Sequence, residues 1–302
     1  MNTRQLYLLS SAVLALCSAQ IVSSDAISVV DDIGRRVSLP APATRIVSLS
    51  PHITELLYSI GIGDRIVGTV RYSDYPKEAG SIQRVGDAFS INIEMLIQLE
   101  PDLVVAWQTG GSARTINKIQ SFLGVPVYFN EASDLAAIGE SAAKMAVLAG
   151  VAEIGAARAQ QYRRKLEWIR EQHESSNQVK IFYQISDLDL YTVNRHHLIG
   201  EAIALCGGDN IFADSIIKVP KVSMEAVIAA SPDLIVFSSG VDAGDQWTSR
   251  WRPFDTIPAV ANEHLYSLPA AILTRPSFRM ASGIERLCDF MNMARSQAPV
   301  KD

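Results

Sequence analysis

No GxSxG elbow, GxxxxGK[ST] phosphate loop, strand-following GxGxxG or HExxH pair occurs in the chain, so the common nucleophile, nucleotide and zinc-hydrolase signatures are missing. The residues therefore argue against an enzyme. Positive charge is not in excess either. Lys and Arg number 27 against 32 Asp and Glu, a net charge of −5, and no local basic stripe interrupts that balance. The electrostatic footprint of a nucleic-acid binder is absent. The apolar run from Leu6 to Cys17 is too short to span a bilayer. It follows Arg4 and precedes the small residues of SAQIVSSDA, which together read as the three regions of an export signal. Cleavage could follow Ala19 or Ala26; Ala26 is preferred, making residues 1–26 a signal peptide. Leu16 is bulky where a lipoprotein signal wants a small residue, which argues against lipidation at Cys17.

Cysteine and histidine are scarce. Only Cys206 and Cys288 remain once the signal is removed. Two separate buried thiols and one disulfide are both open, and an oxidising compartment favours the disulfide. Its long loop would constrain the unfolded chain by roughly 4 kcal/mol. The histidines are His52, His173, His196, His197 and His264. His52 falls at a strand–helix turn and His196–His197 fall before a helix, where a metal cluster is one reading and solvated loop residues the other.

What is present is an alternation of strands and helices. A hairpin is expected over 27–40. Strands are expected over 45–50, 65–70, 102–107 and 125–130. Helices are expected from Pro51, over 92–100 and over 112–124. From Ala132 to Glu174 strands stop. A helix closed by Gly150 is followed by a long, strongly charged one over 152–174, rich in good helix formers. After SSNQ the alternation resumes with VKIFYQI, HHLIGEAIALCGG, SMEAVIAA, DLIVFS, HLYSLP and a final amphipathic helix, SGIERLCDFMNMA. The fold class is α/β: two similar lobes with central, mostly parallel sheets, one long α-helix between them, and a ligand cleft between the lobes. The boundaries read as a lobe over 27–150, a backbone helix over 151–174 and a second lobe over 175–302.

The two lobes share text. IEMLIQLEPDLVVAW (93–107) is matched by MEAVIAASPDLIVFS (224–238), and Glu94 and Glu225 lie 131 residues apart. SIGIGDRIVG (59–68) is matched by ALCGGDNIFA (204–213), each a helix end, a glycine turn, an aspartate and an apolar strand start. An acid at a helix N-terminus is favoured by the macrodipole, by roughly 0.3–1 kcal/mol. The other reading makes the two glutamates acidic knobs, one per lobe, for arginines of a two-fold partner. Several aromatics fall on strand ends and loops instead of helix stripes: Tyr72, Tyr75, Phe89, Trp107, Tyr191, Trp247 and Trp251. A cleft lined this way suits a large flat ligand with apolar faces.

The stretch SLSPHITELLYSIGIGDRIVGTVRYSDYPKEA (48–79), with LEPDLVVAW, ALCGGDNIFADS and VSMEAVIAASPDL, carries a resemblance over nearly all of the mature chain. The SPxxTE pattern and YSDYP are its specific parts. The chain resembles the periplasmic solute-binding proteins of ATP-binding-cassette (ABC) importers, in the class whose lobes are joined by a single long helix, and within it the cobalamin-binding type. Haem, ferric siderophores and some metals are carried by other members. The resemblance implies a monomer of the periplasm that takes a corrinoid or similar metal chelate, without a resident cofactor or metal. It implies peripheral docking at the inner membrane, where Glu94 and Glu225 meet arginines of an ABC permease dimer. It implies a Cys206–Cys288 disulfide in the second lobe. The expected ligand contacts are Pro51, His52, Tyr72, Phe89, Trp107, Tyr191, His196 and Arg275, with Arg275 meeting an anionic or amide-bearing edge. The alternatives are a ferric-siderophore or haem receptor of the same fold, or a metal-ion receptor using His52 with His196 or His197. Three positions depart from the cobalamin-binding type: Ala88 and Val219 replace cleft tryptophans, and Ala271 replaces an acid four residues before Arg275. The loop VGDAFSIN (85–92) lacks the tyrosine with which haem-carrying relatives ligate iron.

Overall fold

The computed structural model describes residues 26–87, 89–110, 116, 124–186, 189–239 and 246–297. It opens with an antiparallel hairpin, β1 (Ile27–Val30) and β2 (Arg36–Leu39), whose register pairs Ile27 with Leu39. The hairpin turn carries Asp32, which docks it on the first lobe. The Asp32 carboxylate accepts from Tyr128 Oη at 2.7 Å, Asn130 Nδ2 at 2.9 Å, Ser141 Oγ at 2.6 Å and Lys144 Nζ at 2.9 Å.

Four parallel strands build each lobe. In the first, β3 (Ile46–Ser48), β4 (Ile66–Gly68), β5 (Leu103–Trp107) and β6 (Val127–Asn130) lie in the order β4-β3-β5-β6. In the second, β7 (Val179–Gln184), β8 (Gly208–Asn210), β9 (Leu234–Ser239) and β10 (Leu265–Pro269) lie in the order β10-β9-β7-β8. Numbered within its own lobe, each sheet reads second, first, third, fourth. The textual repeat is thus a repeat of topology.

The helices in chain order are α1 (Pro51–Ser59), α2 (Ile93–Gln98), α3 (Leu135–Leu148), α4 (Ala152–His173), α5 (Leu198–Leu205), α6 (Met224–Ala230), α7 (Gln246–Trp251), α8 (Pro258–Ala261), α9 (Ala271–Thr274) and α10 (Met280–Gln297). The helix expected over 112–124 falls almost wholly outside the described residues.

Chemistry explains why PDL recurs. In both copies the proline follows a helix that it cannot continue. In both, the aspartate then clamps the first strand of the lobe. Asp102 accepts from Thr44 N at 2.7 Å and Arg45 N at 3.1 Å, while its own N–H donates to Arg45 O at 2.9 Å. Asp233 accepts from Lys180 N at 3.0 Å and donates to Lys180 O at 2.8 Å. The leucine that follows, Leu103 or Leu234, is fully buried. The motif therefore ends a helix, sets strand register and starts the core.

The long helix α4 joins the lobes by packing as well as by covalent linkage. Its buried positions, Gly155, Ala159, Tyr162, Leu166 and Ile169, recur at three- and four-residue steps along one face. Gly155 is required by the approach of α3, since a Cβ there would meet Ala146 Cβ at 2.2 Å. One apolar cluster runs from Ile46 and Tyr128 of the first sheet, through Met145, Tyr162 and Leu166, to Ile181 and Val236 of the second.

Two expectations are corrected, and three short helices were not anticipated. The strand after CGG was expected to begin beyond Asp209, yet β8 covers Gly208–Asn210 and ends where the apolar residues begin. Ile211 and Phe212 are packed instead against the second lobe's own cluster around Phe182. The short helices α7, α8 and α9 carry too few turns for helical periodicity to show in the sequence. Trp251, first grouped with the cleft aromatics, is fully buried. Its Nε1 donates to Gln184 Oε1 at 3.0 Å and its ring packs edge-on to Phe182, so it belongs to the core.

Candidate functional site

Every strand of a parallel sheet ends at the same edge, and the segments that follow collect there; ligands of such sheets bind at that edge. Pro51, at the first position of α1, follows β3. Tyr72 follows β4, is 68% exposed, and holds a left-handed backbone with φ +66°. Non-glycine residues seldom keep that conformation unless their surroundings impose it. Phe89, 80% exposed, lies further along the same connection. Trp107 is the last residue of β5 and is 36% exposed. Tyr191 and the exposed His196 follow β7, and Arg275 follows β10 through α9. Large aromatic surface left open to solvent at one edge is costly unless something covers it.

The two edges meet across the lobes. The Glu55 carboxylate, on α1, is 2% exposed and is gripped from the second lobe. Its Oε1 accepts from Arg275 Nη1 at 3.1 Å and Arg279 Nη2 at 2.6 Å; its Oε2 accepts from Ser277 Oγ at 2.6 Å and Arg279 Nε at 3.2 Å. Arg275 Nη1 also reaches Asp74 Oδ1 at 2.7 Å. Hydrogen bonding to Arg275 is the main influence holding Asp74 below the usual carboxylate range, against an opposing desolvation that is the largest single contribution. The Arg279 guanidinium lies 4.0 Å from the centre of the Tyr75 ring. A second crossing joins the N-terminus of α3 to α5, where Leu135 N donates to Glu201 Oε2 at 2.8 Å. Of these groups only Arg275 and Tyr75 were singled out from sequence. Glu55, Asp74, Ser277 and Arg279 sit in SPHITE, YSDYP and RPSFR, and the RxSxR spacing opposite a helix glutamate was the signal available. The Arg275 guanidinium is already engaged by two carboxylates, so a ligand would meet a charge that the lobes share.

His52 lies beneath the cleft surface, at 3% exposure. Its Nδ1 is 2.7 Å from Ser50 Oγ and its Nε2 is 2.8 Å from Asn130 Oδ1. Asn130 Nδ2 donates onward to Asp32. Asn130 Oδ1 is therefore the acceptor, Nε2 carries the imidazole proton and Nδ1 accepts from Ser50. Burial above all, with the Arg275 charge adding and the Asn130 bond opposing, lowers its pKa to about 4. The ring sets its edge against Trp107, with centroids 5.5 Å apart and planes at 88°. His52 thus reaches the cleft through Trp107. His197 caps α5, accepting from Ile199 N at 3.1 Å, and burial with nearby Lys218 lowers its pKa to about 4. Among the described residues no group of three or more His, Cys, Asp or Glu is placed to hold a metal ion. Of the three departures, Val219 is 37% exposed, Ala271 opens α9, and Ala88 lies outside the described residues.

The repeated glutamates match to the residue. Asn92 caps α2 by accepting from Met95 N at 3.0 Å, and Ser223 caps α6 by accepting from Ala226 N at 3.2 Å. Glu94 and Glu225 are the second residues of their helices, both exposed. The backbone amide at the helix start and the Ser223 hydroxyl hold Glu225 below its usual range. Cys206, at the end of α5, and Cys288, in α10, are joined by a disulfide inside the second lobe.

Twin parallel-sheet lobes tied by one helix, with aromatics exposed at the strand ends, form the frame of a protein that holds a solute. The chain belongs to the periplasmic binding protein family, whose model matches residues 46–272. It is 35% identical over 258 residues to the vitamin B12-binding protein of Vibrio cholerae, covering 85% of this chain and 92% of that one. The corresponding protein of Yersinia pestis is 33% identical over 268 residues, covering 88% and 92%. The crystal structure of the periplasmic vitamin B12-binding protein of Vibrio cholerae superimposes with a TM-score of 0.76 at 34% identity, over 85% of this chain and 99% of that chain. A periplasmic haem-binding protein from Roseiflexus, at 23% identity, TM-score 0.73 and coverage of 84% and 99%, shares the fold. These relatives are binding proteins and not enzymes.

Proposed function

We propose that this protein captures a corrinoid of the cobalamin type in the strand-end cleft and delivers it to an ABC permease at the inner membrane. The observation that carries this reading is the open aromatic edge: Tyr72, Phe89 and Trp107 stay exposed at the strand ends of a chain similar along its length to vitamin B12-binding proteins. A corrin ring offers two broad faces for aromatic contact and an amide-bearing rim. Pro51 and Tyr191 extend the surface, His196 stands at its rim and the shared Arg275 supplies a donor for amide or phosphate oxygen. The absence of a tyrosine in VGDAFSIN argues against haem as cargo.

Delivery rests on Glu94 and Glu225, one exposed acid per lobe at matched helix starts, which suit two arginine clusters of a two-fold permease. Residues 1–26 serve as the export signal, placing a monomer in the periplasm, and the lobes act as 27–150 and 175–302 about the helix over 151–174. Absorbance titration of the mature protein with hydroxocobalamin tests the cleft. Saturable one-to-one binding is expected, weakened at least tenfold in a Trp107→Ala variant that keeps its circular dichroism. Binding of equal strength in the wild type and in a Tyr72→Ala, Trp107→Ala double variant would remove the cleft from the account.

A further inference from the structure

A groove of about 790 Å³ lies away from the strand ends, between the end of α1, the outer face of α4 and the start of α10. That is the size of a small-molecule site. Its walls are aromatic. Tyr162 and Phe278 meet at a centroid distance of 5.1 Å with their planes tilted by 38°, Tyr58 closes one side, and Trp168 stands 49% exposed on α4. Trp168 already takes one cation on its face, Lys165 Nζ at 4.3 Å from the ring centre.

Its charge is unbalanced. Lys165 is paired with Glu285. Arg158 donates to the neutral Gln161 at 3.2 Å, and Arg164 makes no hydrogen bond or ion pair among the described residues. The acids Asp64 and Glu78 act on the Tyr58 hydroxyl, whose pKa is raised chiefly by desolvation. Neither acid lines the groove. The α4 wall, which carries these two guanidinium groups and an open indole, is where an anion would sit.

We propose that this groove is a second small-molecule site, distinct from the strand-end cleft, for a planar aromatic compound bearing a negative charge. The flat body lies against Trp168 and the Tyr162–Phe278 pair, and the anion meets Arg158 and Arg164. The same segments carry the contacts between lobes. On α1, Glu55 faces the arginines while Tyr58 faces the groove. On the segment before α10, Ser277 and Arg279 hold Glu55 while Phe278 turns to the groove. An occupant would touch both lobes and the helix between them.

The test uses 8-anilinonaphthalene-1-sulfonate, an aromatic sulfonate, and its uncharged analogue N-phenyl-1-naphthylamine, with the full mature chain. Fluorescence titration is expected to show one saturable sulfonate site. Trp168→Ala and the Arg158→Glu, Arg164→Glu double variant, all at exposed positions, should each weaken it at least tenfold. Trp107→Ala, in the cleft, should leave it unchanged, and the uncharged analogue should bind at least tenfold more weakly. Non-saturable binding, or binding lost in Trp107→Ala but kept in the groove variants, would overturn the site. Equal affinity for the two probes would overturn its preference for an anion. None of these outcomes depends on whether the cleft takes a corrinoid.

Discussion

Replacing Glu55 with alanine leaves two guanidinium groups of the second lobe facing the first without their shared carboxylate. In the intact protein that carboxylate is 2% exposed and accepts four hydrogen bonds, three of them from Arg275 and Arg279. Breaking a buried ion pair by removing one partner costs about 3–5 kcal/mol, because the remaining charge stays desolvated. Here the arginine side chains keep 16% and 22% exposure, and Arg275 retains Asp74, so the low end of that range applies. Glu55→Ala should therefore cost about 3 kcal/mol. A double-mutant cycle with Arg279→Met should return a coupling of about 2 kcal/mol, since the two groups share two hydrogen bonds. Urea denaturation at neutral pH measures both, with one cooperative transition expected from the continuous core. Exposed surface pairs lose their coupling in high salt, whereas this one should persist. A coupling below about 0.5 kcal/mol, the level of an ordinary surface pair, would refute the view that this cluster ties the lobes.

Other perturbations address other parts of the molecule. His52 has a folded-state pKa of about 4 against an ordinary value of 6.5, so the unfolded chain takes up a proton in that window while the folded one does not. Its contribution to stability is full above pH 6.5 and is lost as the pH falls towards 4. His52→Gln should reduce the slope of stability against pH there by up to about 1.4 kcal/mol per pH unit, and an unchanged slope would show that the ring is not held neutral. Replacing Cys206 and Cys288 together with alanine should cost roughly 4 kcal/mol through the loop they close, read as a lower denaturation midpoint. A loss under about 1 kcal/mol would deny the disulfide that role. Glu94→Lys with Glu225→Lys should weaken capture by permease-containing membranes and leave cleft affinity unaltered, and undiminished capture would discard the docking role.

Much of the architecture could be read from the chain because the signals were local and doubled. Pro51, Gly150 and the two PDL segments punctuate helices, and their repetition at a spacing of 131 residues announced two lobes before any strand was paired. The capped helices bearing Glu94 and Glu225 were legible for the same reason. What escaped was set by distance in three dimensions. Glu55 closed the SPxxTE pattern without a role of its own, because its partners stand 220–224 positions away. His52 suggested a ligand, and only burial and the alignment of Ser50, Asn130 and Asp32 turned it into a support for Trp107. Trp251 gave the same sequence signal as Trp107, an aromatic between elements, and the packing of α7 on Phe182 decided its place.

On the proposed function, the strand-end cleft holds a corrinoid. Native mass spectrometry of the mature protein incubated with equimolar cobalamin, haem and a ferric siderophore tests it most directly. A one-to-one cobalamin adduct that dominates the spectrum and is lost in the Tyr72→Ala, Trp107→Ala double variant is the predicted result. A spectrum dominated by the haem or siderophore adduct, or a cobalamin adduct indifferent to that variant, would contradict it.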